Sequence, residues 1–381
     1  MHILMFDMGS YTYKDVKEAV LRCGHTVDDM YYHFADRYDD AFFCERIRLT
    51  LSRVKYDAVF SINFFPLLAT ACFEKGLPYV SWSYDSPLDI RLADYFSYET
   101  NRIFLFDRFE VEGFQKAGYS HVMHMPLAVN VDRLDKLKFS EETNRQYKSE
   151  ISFVGKIYDS SLDELLYPAD DYIKGYIEGL FQAQFRVYGC NFVEKSIPDN
   201  IIDDLNSTYL KLGQNKIRLN KRGLSYAINS RITQVERSLI IDEMAERHDV
   251  CVYTANACEL SEKVKLKGPV KYFTDMNAVF RNSHLNLCPT LKSIASGIPL
   301  RALDIMGAGG VLFSNYQPEL AESFVDGEDL IMYESIEDAL DKADYYLKNK
   351  EGLAQIAQRA KEKARKKFSY DDRIKTILGE L

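Results

Sequence analysis

Short apolar runs alternate with longer amphipathic stretches along almost the whole chain. In the first third the runs are Ile3 to Phe6, Ala58 to Ile62, Tyr79 to Trp82, Ile103 to Phe106 and Val122 to Met125. Between the first two lies a helical spacing, Val16, Ala19, Val20 and Cys23, closed by Gly24, and a second helical pattern runs from Leu67 through Ala71 and Cys72 to Gly76. Strand-length runs separated by helix-length segments predict parallel strands joined by crossover helices. The near absence of polar alternation within the runs predicts strands covered on both faces.

The pattern breaks over Asp132 to Glu150, a polar stretch with few large apolar residues after Leu137 and Phe139, which reads as a linker. It then restarts with predicted strands at Ile151 to Gly155 and Phe185 to Gly189, a long helical region to about residue 248, and further strands at Val250 to Tyr253, Val270 to Phe273, Leu285 to Cys288, Val311 to Phe313 and Leu330 to Tyr333. From about Ile336 the chain is mostly helical and charged. The expectation is an α/β protein of two Rossmann-like, doubly wound domains facing across a cleft. Residues 1–131 form the first domain, 132–150 the linker, and 151–355 the second domain, with a helical insertion near 160–248. The C-terminal helices, 356–381, are expected to pack back on the first domain. In such sheets ligands bind outside the carboxyl ends of the strands.

Composition narrows the function classes. A length of 381 residues suits two domains that each bury a core. The net charge of −9 argues against a dedicated nucleic-acid binder, which carries a basic face. The one dense basic run, Lys361 to Lys367, reads as a solvated helix face. The chain opens on a strand rather than a leader and has no apolar run of membrane-spanning length, so a cytoplasmic location of bacterial type is expected. Seven cysteines at 23, 44, 72, 190, 251, 258 and 288 stand singly, without a CxxC pair, and no histidine spacing suggests a metal site.

The most informative stretch is Ser293 to Gly310. Ser296 or Gly297 can cap a helix there, Pro299 suits its first turn, and Gly307 or Gly309 can end it before a strand at Val311. The amino end of a helix offers free N–H groups and a positive dipole end, which suits a diphosphate. Arg301 can add a forked phosphate contact. Asp304, one turn on, can accept hydrogen bonds from ribose hydroxyls; the competing reading is an Arg301–Asp304 ion pair within the helix.

The run from Gly297 to Ser335 resembles the C-terminal domain of GT-B glycosyltransferases, and most closely the group of the spore maturation protein CgeB. The residues that carry the resemblance are Arg301, Asp304, Gly307 to Gly310, Val311 to Phe313, Glu319-Leu320, Phe324 and Gly327. The first half is similar to the same group in Ser61 to Pro66, Trp82 to Pro87, Phe104 to Arg108 and Met125 to Ala128, and the resemblance covers most of the chain apart from about residues 160–230. The resemblance implies a sugar-nucleotide donor held mainly by the second domain, with Asp304 against the ribose. Many GT-B enzymes carry two glutamates eight positions apart; here the positions hold Ser296 and Asp304, a departure that leaves the donor sugar and the stereochemistry open.

Other donor-side candidates follow from strand ends: Gly155 and Lys156, Tyr253 and Thr254, and Asn315 and Glu319. Lysine at 156 can neutralise phosphate, while Tyr253 reads equally as a core-edge ring and Glu319 as a helix cap. Asp85, after the run ending at Trp82, is the candidate general base, with Pro87 keeping Ser86 extended. Gly9, Ser10 and Tyr11 after the first strand, with Asn63, Trp82 and Tyr84, complete the acceptor side; Trp82 reads as either an acceptor platform or a core residue. Asp107 and His124 read as structural. No DxD motif stands in a suitable loop, so neither metal nor cofactor is expected beyond the sugar nucleotide, and helix dipoles with basic side chains would stabilise the leaving group. The acceptor is a hydroxyl compound, protein, glycan or small glycoside. A sugar-nucleotide epimerase of the same fold and a non-catalytic two-domain binding protein are the alternatives.

Overall fold

In a computed structural model, which describes all residues but Asp89, Ala257 and Cys258, the chain divides into two compact units. Cys258, one of the seven cysteines, thus lies outside the described residues. The first unit comprises residues 1–133, 297–303 and 363–381, the second 134–296 and 304–362.

The first unit runs β1 (His2–Asp7), α1 (Tyr13–Arg22), β2 (Thr26–Tyr31), α2 (Ala41–Arg53), β3 (Ala58–Ile62), α3 (Pro66–Lys75), β4 (Tyr79–Ser83), β5 (Asn101–Leu105), α4 (Arg108–Lys116), β6 (Val122–His124) and α5 (Val131–Asp135). Its sheet is parallel in the order β2-β1-β3-β4-β5-β6. The inner strands β3 and β4 are buried at every position, as their unbroken apolar runs require. Strand β2 has no counterpart in the hydrophobic pattern: it is an edge strand whose one buried residue is Met30.

The second unit runs α6 (Glu141–Gln146), β7 (Ser149–Val154), α7 (Leu162–Leu166), α8 (Asp171–Phe185), α9 (Val193–Ser196), α10 (Asp199–Lys211), α11 (Lys221–Ala245), β8 (Val250–Tyr253), β9 (Lys265–Lys267), α12 (Asp275–Asn282), β10 (Ser283–Cys288), α13 (Leu300–Ala308), β11 (Leu312–Asn315), α14 (Pro318–Ser323), β12 (Ile331–Tyr333), α15 (Ile336–Lys348) and α16 (Lys350–Lys367), of which α13 and α16 begin or end in the first unit. The sheet order is β12-β11-β10-β7-β8-β9, again parallel. The helices between β7 and β8 close their own core around Ile177, Leu205, Leu224 and Ile228.

Two predicted strands are not strands. Phe185 to Gly189 is the end of α8 and a turn: Ile173, Ile177, Leu180 and Gln184 repeat at helical spacing and are buried together, and Gly189 turns with φ of 70°. Val270 to Phe273 is a turn ahead of α12 with an exposed Phe273, and the strand beside β8 is instead the exposed β9. The chain closes on α17 (Tyr370–Gly379), which packs on α1 in the first unit, where Arg22 forks onto Asp371. The basic run beside it is partly neutralised: Lys361 pairs with Asp135 and Arg365 with Asp132.

Candidate active site

Each sheet has one place where successive strands leave in opposite directions, and there the loops at the carboxyl edge diverge to leave room for a ligand. In the first sheet that place is between β1 and β3, in the second between β7 and β10.

At the first of these, the loop after β1 turns on Asp7, whose Oδ1 accepts the N–H groups of Gly9 and Ser10, both at 2.9 Å. Gly9 has φ of 95°, a conformation that favours glycine, and Tyr11 projects with 66% of its surface exposed. Asn63, just after β3, is the one non-glycine with positive φ, 65°, among the described residues. Backbone held in the left-handed region costs about 1–3 kcal/mol and collects at functional sites. The Asn63 side chain shows what it achieves: Oδ1 accepts the Tyr84 N–H at 2.8 Å, and Nδ2 donates to Asp85 Oδ2 at 2.7 Å. Downstream of Asp85, Glu110 at the start of α4 accepts from Ser86 Oγ at 3.1 Å and from the Leu88 N–H at 2.7 Å. Asp85 is itself exposed, so this loop presents a carboxylate to solvent in a fixed orientation.

Trp82 is no platform. It is fully buried, its Nε1 donates to the Met125 carbonyl, and its ring meets Tyr84 and Tyr370. An inward-facing residue of an inner strand has no other place to go. Asp107 caps α4 by accepting the Phe109 N–H, and His124 contacts the Phe106 carbonyl.

In the second sheet, Gly155 and Lys156 follow β7, with the Lys156 side chain exposed. Tyr253, the last residue of β8, is buried against Tyr147, and burial raises its phenol well above the ordinary range; Thr254 accepts the Asn256 N–H. This places Tyr253 at the core edge. The loop from Pro289 to Pro299 leads from β10 into α13.

The helix starts at Leu300 and ends before Gly309, which takes φ of 87°. Neither Ser296 nor Gly297 caps it. Ser296 donates through Oγ to Glu319 Oε1 at 2.8 Å, while its carbonyl accepts the Glu319 N–H at 3.1 Å. Gly297 lies against Phe106 and Asp107, where a Cβ would come within 2.8 Å of the Phe106 ring. Asn315 is buried and accepts the Thr290 N–H at 2.6 Å. Asn315 and Glu319 thus support the loop that precedes α13.

On α13, Arg301 is partly exposed, and Asp304, one turn on, is 5% exposed. The Tyr272 hydroxyl, from the turn before α12, donates to Asp304 Oδ1 at 3.0 Å and orients the carboxylate. Tyr272 was not a sequence candidate; it falls in the segment read as a strand. Nor were Glu236, Arg237 and Lys292, a polar cluster against the same loop. For Glu236 and Arg237 the signal was present: polar residues between the apolar positions Ile232 and Ile240 of a buried helix face.

The fold is that of the GT-B glycosyltransferases. Across the whole chain it matches a Rickettsia africae glycosyltransferase at a TM-score of 0.57 and 10% identity, covering 97% of that chain. Thermosynechococcus elongatus sucrose-phosphate synthase matches with the same score and identity, over 98% of its length. The Anabaena protein HepE, solved in complex with UDP and glucose, matches at 0.54 and 12% with both chains covered in full. Residues 237–379, from within α11 to the last helix, match the model of a family described as glycosyl transferase-like. No curated protein matches the sequence. Among the described residues no helix is long and apolar enough to cross a membrane, and no group of three His, Cys, Asp or Glu could hold a metal ion.

Proposed function

We propose that the chain is a glycosyltransferase that moves a sugar from a nucleoside diphosphate to a hydroxyl acceptor. Within the GT-B class its motifs, from Arg301 to Gly327 and from Trp82 to Pro87, set it nearest the CgeB type. The observation that carries the reading is Asp304 on α13, a nearly buried carboxylate oriented by Tyr272 one turn beyond Arg301, inside the segment with the glycosyl transferase-like match. A carboxylate so placed accepts two ribose hydroxyls, and Arg301 and the amino end of the helix serve the diphosphate. The ligand of the Anabaena relative makes UDP the first nucleotide to test.

On the acceptor side Asp85 takes the proton of the attacking hydroxyl. The oxygen bonds to the anomeric carbon, the bond from that carbon to the phosphate oxygen breaks, and the electron pair leaves with the diphosphate. Asn63 holds Asp85 in one orientation. Lys156, Arg301 and the helix dipole offset the leaving charge without a metal. Six free cysteines among the described residues suit a reducing, cytoplasmic setting.

The test is a thermal-shift panel of UDP, GDP, TDP and ADP, followed by assay of the matching sugar nucleotide. The stabilising nucleotide should lose its effect in Asp304→Ala and keep it in Asp85→Asn, which should in turn lose donor hydrolysis. No shift with any of the four sinks the reading; isomerisation of the sugar nucleotide alone would reassign the chain as an epimerase.

A further inference from the structure

One polar face of α11 grips the loops on both sides of the second sheet's switch point. Asn229, Thr233, Glu236 and Arg237 fall at helical spacing on that face. Thr233 accepts the Lys292 N–H through its hydroxyl at 3.0 Å. Asn191, held by Asn229, donates to the Lys292 carbonyl at 2.6 Å. Glu236 is fully buried and pairs with Lys292, 7% exposed, at 3.4 Å, and the Lys292 ammonium lies 3.7 Å from the centre of the Tyr188 ring.

Arg237 goes further. Its Nε and Nη2 donate to the Pro289 carbonyl after β10, and its Nη1 donates to the Lys156 carbonyl after β7. Phe153 and Tyr158 cover its guanidinium at 5.4 and 5.0 Å. One rigid fork therefore ties the ends of the two strands between which the sheet reverses direction. Holding a half-buried guanidinium on carbonyl oxygens, rather than against a carboxylate, gives up part of its hydration. That cost also fixes the main chain on either side of the place where an anion is expected, and leaves a positive charge beneath it.

The far side of the loop is equally tied. Asn315, Gln317 and Glu319 bond Thr290, Ile294 and Ser296. Fixed main-chain geometry of this kind is what a binding site for a charged group requires.

We propose that Arg237 is a positioning residue: by bridging the Lys156 and Pro289 carbonyls it couples the loops after β7 and β10 into one preorganised bed for the donor diphosphate. The proposal rests on the functional reading above only in its last words; the coupling of the two loops stands apart from it. Lysine at 237 keeps the charge but, as a single point donor, does not span both carbonyls as the fork does. The full chain is compared with Arg237→Lys and Arg237→Gln by hydrogen–deuterium exchange over residues 154–158 and 289–296, and by UDP titration.

Both variants should speed exchange in both segments together, by roughly tenfold or more, and leave β3 and β4 unchanged. Both should also weaken UDP by at least about tenfold, the lysine variant included. Faster exchange in one segment alone, or in neither, overturns the bridge. A lysine variant that binds UDP within about twofold of wild type overturns the positioning role, since charge alone would then suffice. A wild-type protein that binds none of the four nucleoside diphosphates sinks the functional reading instead, and the exchange result then decides the coupling by itself.

Discussion

The pairing of Glu236 with Lys292 makes the second unit sensitive to a single substitution. Replacing Glu236 by Gln keeps the volume and removes the counter-charge of an ammonium that water hardly reaches. Breaking one side of a buried pair costs about 3–5 kcal/mol, because the remaining charge stays desolvated. The Tyr188 ring returns about 2 kcal/mol at best and is already in place in the wild type, so it offsets nothing new. With a urea dependence of about 3 kcal/mol per molar for a unit of this size, the midpoint should fall by roughly 1–2 M at pH 7. Burial already holds the Lys292 ammonium below its ordinary value of 10.5 against the opposing pull of Glu236, and loss of Glu236 lowers it further. Between that lowered value and 10.5 the unfolded chain binds the extra proton, so stability rises with pH across the window. The deficit of Glu236→Gln should therefore shrink as pH is raised from 7 towards 9.5. Urea unfolding followed by far-UV circular dichroism at several pH values reads both effects. A companion, Glu236→Met with Lys292→Met, should recover most of the loss. A deficit below about 1 kcal/mol at pH 7, or one that grows with pH, would refute the account.

Asn63→Gly keeps the left-handed backbone and deletes the amide that holds Asp85; it should fold with stability within about 1 kcal/mol of wild type while donor turnover falls by roughly ten- to a hundredfold. Equal turnover would remove Asn63 from the mechanism. Gly297→Ala puts a methyl 2.8 Å from the Phe106 ring, 2.9 Å from its carbonyl oxygen and 3.0 Å from the Asp107 α-carbon. Main chain does not yield cheaply, so the melting temperature should drop by an amount equivalent to about 1–3 kcal/mol, and an unchanged melting curve would show that the loop from Pro289 to Pro299 re-seats.

How much of this was legible in advance depended on whether a residue's role was local. Strands β3 and β4 were plain because burial on both faces writes an unbroken apolar run. Strand β2 was invisible because an edge strand with one buried residue leaves no run. Residues 185–189 misled because apolar residues ending an amphipathic helix look like a short strand when the preceding turns are not counted. Arg301 and Asp304 could be set on one helix because their relation is one helical turn. Asn63 and Asp85 were each singled out, but not their hydrogen bond, which joins positions 22 residues apart across neighbouring strands. Trp82 was ambiguous because sequence shows that an aromatic follows a strand pattern, not which face of the sheet it enters.

Asn63 and Arg237 nevertheless belong to one kind of solution. A parallel sheet presents its strand ends as separate loops, each free to move without the next, and the place where strand order reverses is the least supported. In the first sheet an asparagine accepts a left-handed backbone so that its amide reaches the main chain and carboxylate of the neighbouring strand end. In the second a half-buried guanidinium gives up part of its hydration so that its fork reaches two carbonyls. Both carry a local cost, and both return fixed geometry at the edge where this fold places its ligands. Were Asn63 there only for its backbone, glycine would serve as well, and were Arg237 there only for its charge, lysine would. That substitution is therefore the sharpest comparison in each sheet.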